Sequence, residues 1–84
     1  MIARSTITFA DLRRFLLDLG FTPSKRGKFW FFDHPPSGTE FGYRPYRAGE
    51  KVTLMDLDMT RKHLDWRGVL SEDAFEDRLK KATA

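Results

Sequence analysis

The stretch Gly27-Lys28-Phe29-Trp30-Phe31-Phe32-Asp33-His34-Pro35 limits most tightly what this chain can fold into. Its four consecutive aromatic residues lie between a glycine and a proline, too few for a helix and of the types that favour strands. The spacing predicts one central β-strand. Alternation puts Lys28, Trp30 and Phe32 on one face and Phe29, Phe31 and Asp33 on the other, so both faces carry aromatic rings. An open sheet in a small domain buries one face under its helices. The other face then requires a second layer, a partner chain or stacked bases.

Helix signals flank this strand. Thr8 is placed to cap a helix over about Phe9 to Leu19, with Asp11 in its first turn, Ile7 stapling onto Leu12, and Gly20 as the stop. The same chemistry returns at Val52-Thr53-Leu54-Met55-Asp56-Leu57, which predicts a second helix from Leu54 to about Arg67. On that helix Leu54, Leu57 and Leu64 share one side with the Arg61 stem, and Met55, Met59 and Trp66 share nearly the opposite side. Ser71 opens a third helix whose Phe75, Leu79 and Ala82 form a narrow apolar stripe, expected to fold back over Met55, Met59 and Trp66.

Between the first two helices, Phe21 to Ser24 suits an edge strand limited by Pro23, and Lys25-Arg26-Gly27 makes a basic turn. His34-Pro35-Pro36-Ser37-Gly38 is a hairpin connection. Glu40 to Tyr46 pairs back as a third strand, with Phe41 and Tyr43 on one face and Arg44 and Tyr46 on the other. Met1 to Ser5 carries no pattern and is expected to fray. The expectation is an α+β fold of order α-β-β-β-α-α, a three-stranded antiparallel sheet with helices packed on one face. It forms a single domain over residues 1–84, with a core over 8–68 and an additional C-terminal helix over 69–84.

Composition narrows the setting. The chain has no cysteine, which excludes disulfides and thiolate metal sites. No apolar run approaches the roughly 20 residues of a membrane span, and Met1 to Thr8 lacks the apolar middle of a signal peptide. A cytoplasmic protein with no membrane partner is expected. The net charge is +3, and the basic surplus lies in residues 1–51, which hold nine Lys and Arg against five Asp and Glu. That asymmetry suits a polyanionic partner and also an ordinary solvated surface.

Chemistry-bearing residues are few. His34 and His63 are the only histidines. Neither has a second ligand at helical spacing, so no metal site and no cofactor are expected. His34 opens the Pro-Pro turn, where a strand-end role and a relocated acid/base role both stand open. Asp56, Asp58, Glu72 and Asp73 lie at helix starts, where the dipole alone favours them. Lys25, Arg26 and Lys28 beside Trp30, with Arg44 from the next strand, make a cation and aromatic cluster of the kind that binds RNA. The competing reading makes these rings core. Arg13 and Arg14 either extend the patch or solvate the first helix. Phe29 and the Met55, Met59 and Trp66 stripe are the candidate surfaces for a protein partner, including a second copy of this chain.

This order of elements resembles the HicA family of mRNA interferase toxins, which have a double-stranded-RNA-binding-like fold. Leu19-Gly20-Phe21 matches the glycine and aromatic residue that end the family's first helix. Gly27-Lys28-Phe29 through His34-Pro35 matches its Gly-Ser-His motif and the later His-Pro, and the likeness runs from about Thr8 to Gly68. The resemblance implies RNA as ligand and a HicB-like antitoxin as partner. The family's catalytic histidine falls at Phe29 and its preceding serine at Lys28. A phenyl ring cannot take a proton from a ribose 2′-hydroxyl, so the expected function is RNA binding without the family's RNase activity. The alternatives are a protein-interaction module and an RNase that uses His34.

Overall fold

Two threonines organise the chain, each ending a strand and capping the helix that follows. The computed structural model describes residues 4–83, in the order β1 (Arg4–Thr8), α1 (Phe9–Asp18), β2 (Thr22–Arg26), β3 (Phe29–His34), β4 (Thr39–Tyr43), β5 (Lys51–Thr53), α2 (Leu54–Trp66) and α3 (Glu72–Thr83). Thr8 Oγ1 accepts from the Asp11 amide at 3.1 Å, and Asp11 closes a capping box by accepting from the Thr8 amide at 3.3 Å. Thr53 Oγ1 accepts from the Asp56 amide at 3.1 Å in the same way. Here the box stays open. The Asp56 carboxylate instead accepts from the Tyr46 hydroxyl at 2.5 Å and lies 3.4 Å from Arg44.

The structure is α+β with three helices and the expected three-stranded antiparallel sheet, in strand order β2-β3-β4. It also differs from the expected order. β1 and β5 form a separate two-stranded antiparallel pair, so Arg4 and Ser5 belong to a strand rather than to a frayed end; Met1 to Ala3 lie outside the described residues. The pair has a register shift filled by Ser5, whose Oγ donates to the Val52 carbonyl at 2.9 Å and accepts from the Ile7 amide at 3.1 Å. Its two strands come from opposite ends of the core, and β5 is only three residues long. No local alternation announces it.

β4 ends at Tyr43, earlier than expected, because the chain turns inward and buries Tyr46 against Phe9 with stacked rings 5.3 Å apart. Phe32, Phe41 and Tyr43 on the inner sheet face pack with Phe9, Leu12, Phe15 and Leu16 of α1 and Leu64 of α2 in one core. On the outer face Ser24, Arg26, Phe29, Asp33 and Glu40 are all exposed. The helices thus cover one side of the sheet.

α3 does not fold over Met55, Met59 and Trp66. It packs on α1, where Phe75 meets Phe15 edge-on at 5.2 Å and the Ala82 carbonyl accepts from Arg14 at 3.3 Å, and it reaches α2 on the Arg61 side, where Glu72 lies 3.7 Å from the guanidinium. Phe75, Leu79 and Ala82 are buried there. Two bulky aromatics in contact fix the direction of the helix more strongly than two flexible thioethers can.

Tyr43 carries a buried polar link between sheet and helix. Thr60 Oγ1 donates to the Asp56 carbonyl at 2.8 Å, which leaves Tyr43 to donate to Thr60 Oγ1 at 2.5 Å. Burial pushes the phenol well above its usual range, because the interior disfavours the phenolate. A phenol raised in the folded state contributes stability that is full below its unfolded pKa of about 10 and is lost as pH rises beyond it. Tyr43→Phe is therefore expected to cost about 0.5–1.5 kcal/mol at neutral pH and to flatten the fall in Tm between pH 9 and 11. Thermal melts by circular dichroism at a series of pH values check both.

Candidate nucleic-acid interface

The β2-β3 hairpin decides which side chains meet. Lys25 pairs with Trp30 and Arg26 with Phe29 across a two-residue turn of Gly27 and Lys28. Gly27 takes φ +64° while Lys28 stays at negative φ, the pattern of a type II′ turn that matches the twist of its strands. Cross-strand partners share a face. Lys25 thus joins Trp30 on the helix side, and Arg26 joins Phe29 and Phe31 on the outer side.

Trp30 is half-buried and packs on Phe9 with ring centroids 5.9 Å apart. The Arg13 guanidinium lies 5.7 Å from its ring and the Lys25 ammonium 5.2 Å. Arg13 stands one turn beyond Phe9 on the exposed side of α1, so the helix and the hairpin each deliver a cation to the same indole. Lys28 is exposed in the adjoining turn. Arg13, Lys25 and Lys28 have no acidic partner among the described residues. Cations without carboxylates are free to take phosphate oxygens.

The remaining expected site residues divide. Arg26 lies 4.5 Å over the Phe31 ring and 3.6 Å from Glu40, an exposed pair that releases at little expense. Arg44 lies 3.4 Å from Asp56 and 6.0 Å from the Tyr46 ring, and so braces the start of α2. Phe29 is 53% exposed. Met55 and Trp66 are 69% and 71% exposed, while Met59 is half-buried and packs against the core. Leu54, which spacing puts on one side of α2 with Leu57 and Leu64, is exposed as well.

His34 is bound into its turn. Its Nδ1 is 2.7 Å from Ser37 Oγ, which is itself 2.7 Å from Thr39 Oγ1, and its ring stacks on Phe21 at 4.9 Å. His63 is half-buried, and its ring lies 5.9 Å from Phe41 and 5.2 Å from Trp66. Hydrogen bonds from Lys62 and then Arg61 hold the exposed Asp58 carboxyl below the usual range, so this acid is engaged in surface pairing. No cluster of three or more metal-ligating side chains exists among the described residues, and no helix there is long and apolar enough to cross a membrane.

Two depressions lie apart from the hairpin. An apolar groove of about 770 Å³ runs between β1, α2 and α3 over Ile7, Leu57, Phe75 and Leu79. A shallower cleft of about 530 Å³ brings His34 and Ser37 near Asp18, Arg67 and Arg78. Sequence reasoning found neither, because each is assembled from three or more elements. None of the cation and aromatic residues expected to bind RNA lines them. Compared with known proteins, the chain matches no protein-family model, no curated protein and no solved structure.

Proposed function

We propose that this chain is a HicA-like RNA-binding domain on a double-stranded-RNA-binding-like scaffold, with the family's RNase activity absent. The observation that carries the reading is the half-buried Trp30 with Arg13 and Lys25 within 6 Å and no carboxylate on either cation. Lys28 extends that positive edge, and Arg26 adds to it on the other face of the hairpin. The order α1, three antiparallel strands, α2 supports the scaffold. In a gel shift at low salt, the native chain retards a labelled RNA and the Lys25→Glu, Arg26→Glu double variant retards it far less. An unshifted RNA with the native chain overturns the reading.

The absent activity rests on Phe29, which has no proton to exchange; His34 is held by Ser37 through Nδ1 and stacked on Phe21, in keeping with a strand-end role. RNA incubated with the native protein is therefore expected to stay intact on a denaturing gel. Cleavage that disappears in His34→Ala would instead make His34 a catalytic base. Cleavage by Phe29→His alone marks the scaffold as competent and the chemistry as removed.

A protein partner is the second reading, favoured by the exposure of Met55 and Trp66 on one side of α2. A HicB-like antitoxin or a second copy of the chain would take this stripe. Light scattering of the native chain and of Trp66→Lys distinguishes a self-associating surface from a free one.

A further inference from the structure

The geometry points to a phosphate-binding site at the His34 end of β3, in the cleft that Asp18, His34, Arg67 and Arg78 line. The cleft shares no residue with the Trp30 cluster, so the site stands whether or not the chain binds RNA. Four elements meet around its volume of about 530 Å³: the end of α1 at Asp18, the turn after β3 at His34 and Ser37, the turn after α2 at Arg67, and α3 at Arg78. Leu19, Pro36 and Val69 supply its apolar walls.

Arg67 and Arg78 are exposed, and neither guanidinium has a hydrogen-bond or ion-pair partner among the described residues. Arginines near the end of a helix often serve its last carbonyls. Here backbone amides do that work. The amides of Phe21 and Gly20 donate to the Leu16 and Leu17 carbonyls, each at 3.0 Å, and those of Val69 and Gly68 donate to the Leu64 and Asp65 carbonyls at 2.9 and 3.0 Å. Gly20 and Gly68 take the positive φ that such endings require. Both guanidinium forks stay available, and their fixed spacing matches two oxygens of one phosphate.

His34 adds a donor. Its Nδ1 is 2.7 Å from Ser37 Oγ, which is 2.7 Å from the buried Thr39 Oγ1. When Thr39 donates to Ser37 and Ser37 to Nδ1, the ring proton sits on Nε2, and the imidazolium carries it there as well. Nε2 has no partner among the described residues and faces Gly20, where an added Cβ would stand 3.7 Å away. Asp18 lines the same cleft, exposed and beyond ion-pair distance of either arginine, so a positive surplus remains. A carboxylate only accepts, and it therefore selects an anion with a hydroxyl on or beside it. Hydrogen phosphate carries one on phosphorus, and an RNA 3′-phosphate has the ribose 2′-hydroxyl as its neighbour. Sulfate has none.

The test follows the His34 ring protons by NMR while the full chain is titrated with inorganic phosphate at pH 7.5 and constant ionic strength, with the His63 ring as internal reference. The His34 signals are expected to move along a saturating curve with its midpoint at about 1–10 mM, ordinary for so small a ligand. Sulfate is expected to need at least about fivefold more, because it leaves the Asp18 carboxylate facing a bare oxygen. Arg67→Gln and Arg78→Gln are each expected to weaken phosphate binding about tenfold, the loss of one charge-assisted hydrogen bond. Both positions are exposed, so the variants keep the fold. A short RNA ending in a 3′-phosphate, compared with the same RNA ending in a 3′-hydroxyl, identifies the source of the phosphate. A gain in affinity that Arg67→Gln removes puts an RNA end in the cleft; equal affinities, with the phosphate titration intact, assign the cleft to a free phosphate compound. If phosphate binds and neither RNA does, the RNA-binding reading falls and the cleft stands. An unsaturated drift of the His34 signals, an equal response to sulfate, or a titration unchanged in Arg67→Gln and Arg78→Gln overturns the proposal.

Discussion

Phe32→Ala is expected to lower the free energy of unfolding by about 3–5 kcal/mol. A chain of this length has roughly 4–12 kcal/mol in all, so a quarter or more of its stability goes with one ring. Phe32 is fully buried at the middle of the central strand, with its ring 6.2 Å from Phe9, 5.8 Å from Tyr43 and 6.4 Å from Trp30. It joins α1, β3 and β4, and no neighbouring ring can close the resulting cavity without leaving its own partner. Urea unfolding followed by far-ultraviolet circular dichroism measures the loss. A change below about 1 kcal/mol would mean that the site collapses onto the cavity and that Phe32 is not the centre of the core. Phe29→Ala, on the opposite face of the same strand, is expected to leave stability nearly unaltered.

The second large effect is electrostatic. If Arg13, Lys25, Arg26 and Lys28 each meet a phosphate, binding of single-stranded RNA has a salt slope near −2.8, at about −0.7 per contact. Raising salt from 50 to 200 mM then weakens binding about fifty-fold. The Lys25→Glu, Arg26→Glu variant keeps two of those contacts, so its slope falls to about −1.4 and the same salt step weakens binding only about sevenfold. Its affinity at low salt is lower as well. Because Arg13 and Lys28 remain, a weak residual affinity in this variant at the lowest salt is part of the expectation.

What the sequence makes legible is local. Thr8 and Thr53 announce their helices because a cap is settled within four residues, and the Phe29–His34 strand is marked by its own aromatic run. The face assignments along that strand also follow from alternation, but which face would be core does not, since Trp30 and Phe32 are no more apolar than Phe29 and Phe31. Phe9 and Tyr46 decide it by closing over the Trp30 side. β1 and β5 stay hidden because their pairing spans more than forty residues, as in the bond from Ser5 to Val52. The direction of α3 depends on Phe75 finding Phe15 across the fold, which its own stripe cannot express.

The candidate site was partly legible for the same reason. Lys25, Arg26, Lys28 and Trp30 are near in sequence, and the hairpin brings them near in space, though it sends Arg26 to the other face. Arg44 is claimed by Asp56 because the chain leaves β4 and dives to bury Tyr46.

The most direct test of the central claim is the affinity of the native chain for a labelled single-stranded RNA, measured by anisotropy from 50 to 200 mM salt. Binding that weakens about fifty-fold across that range, on a straight line in log affinity against log salt, is the expected result. Absence of binding at 50 mM, or binding indifferent to salt, contradicts a phosphate-holding edge made by Arg13, Lys25 and Lys28 beside Trp30 and by Arg26 on the other face of the hairpin.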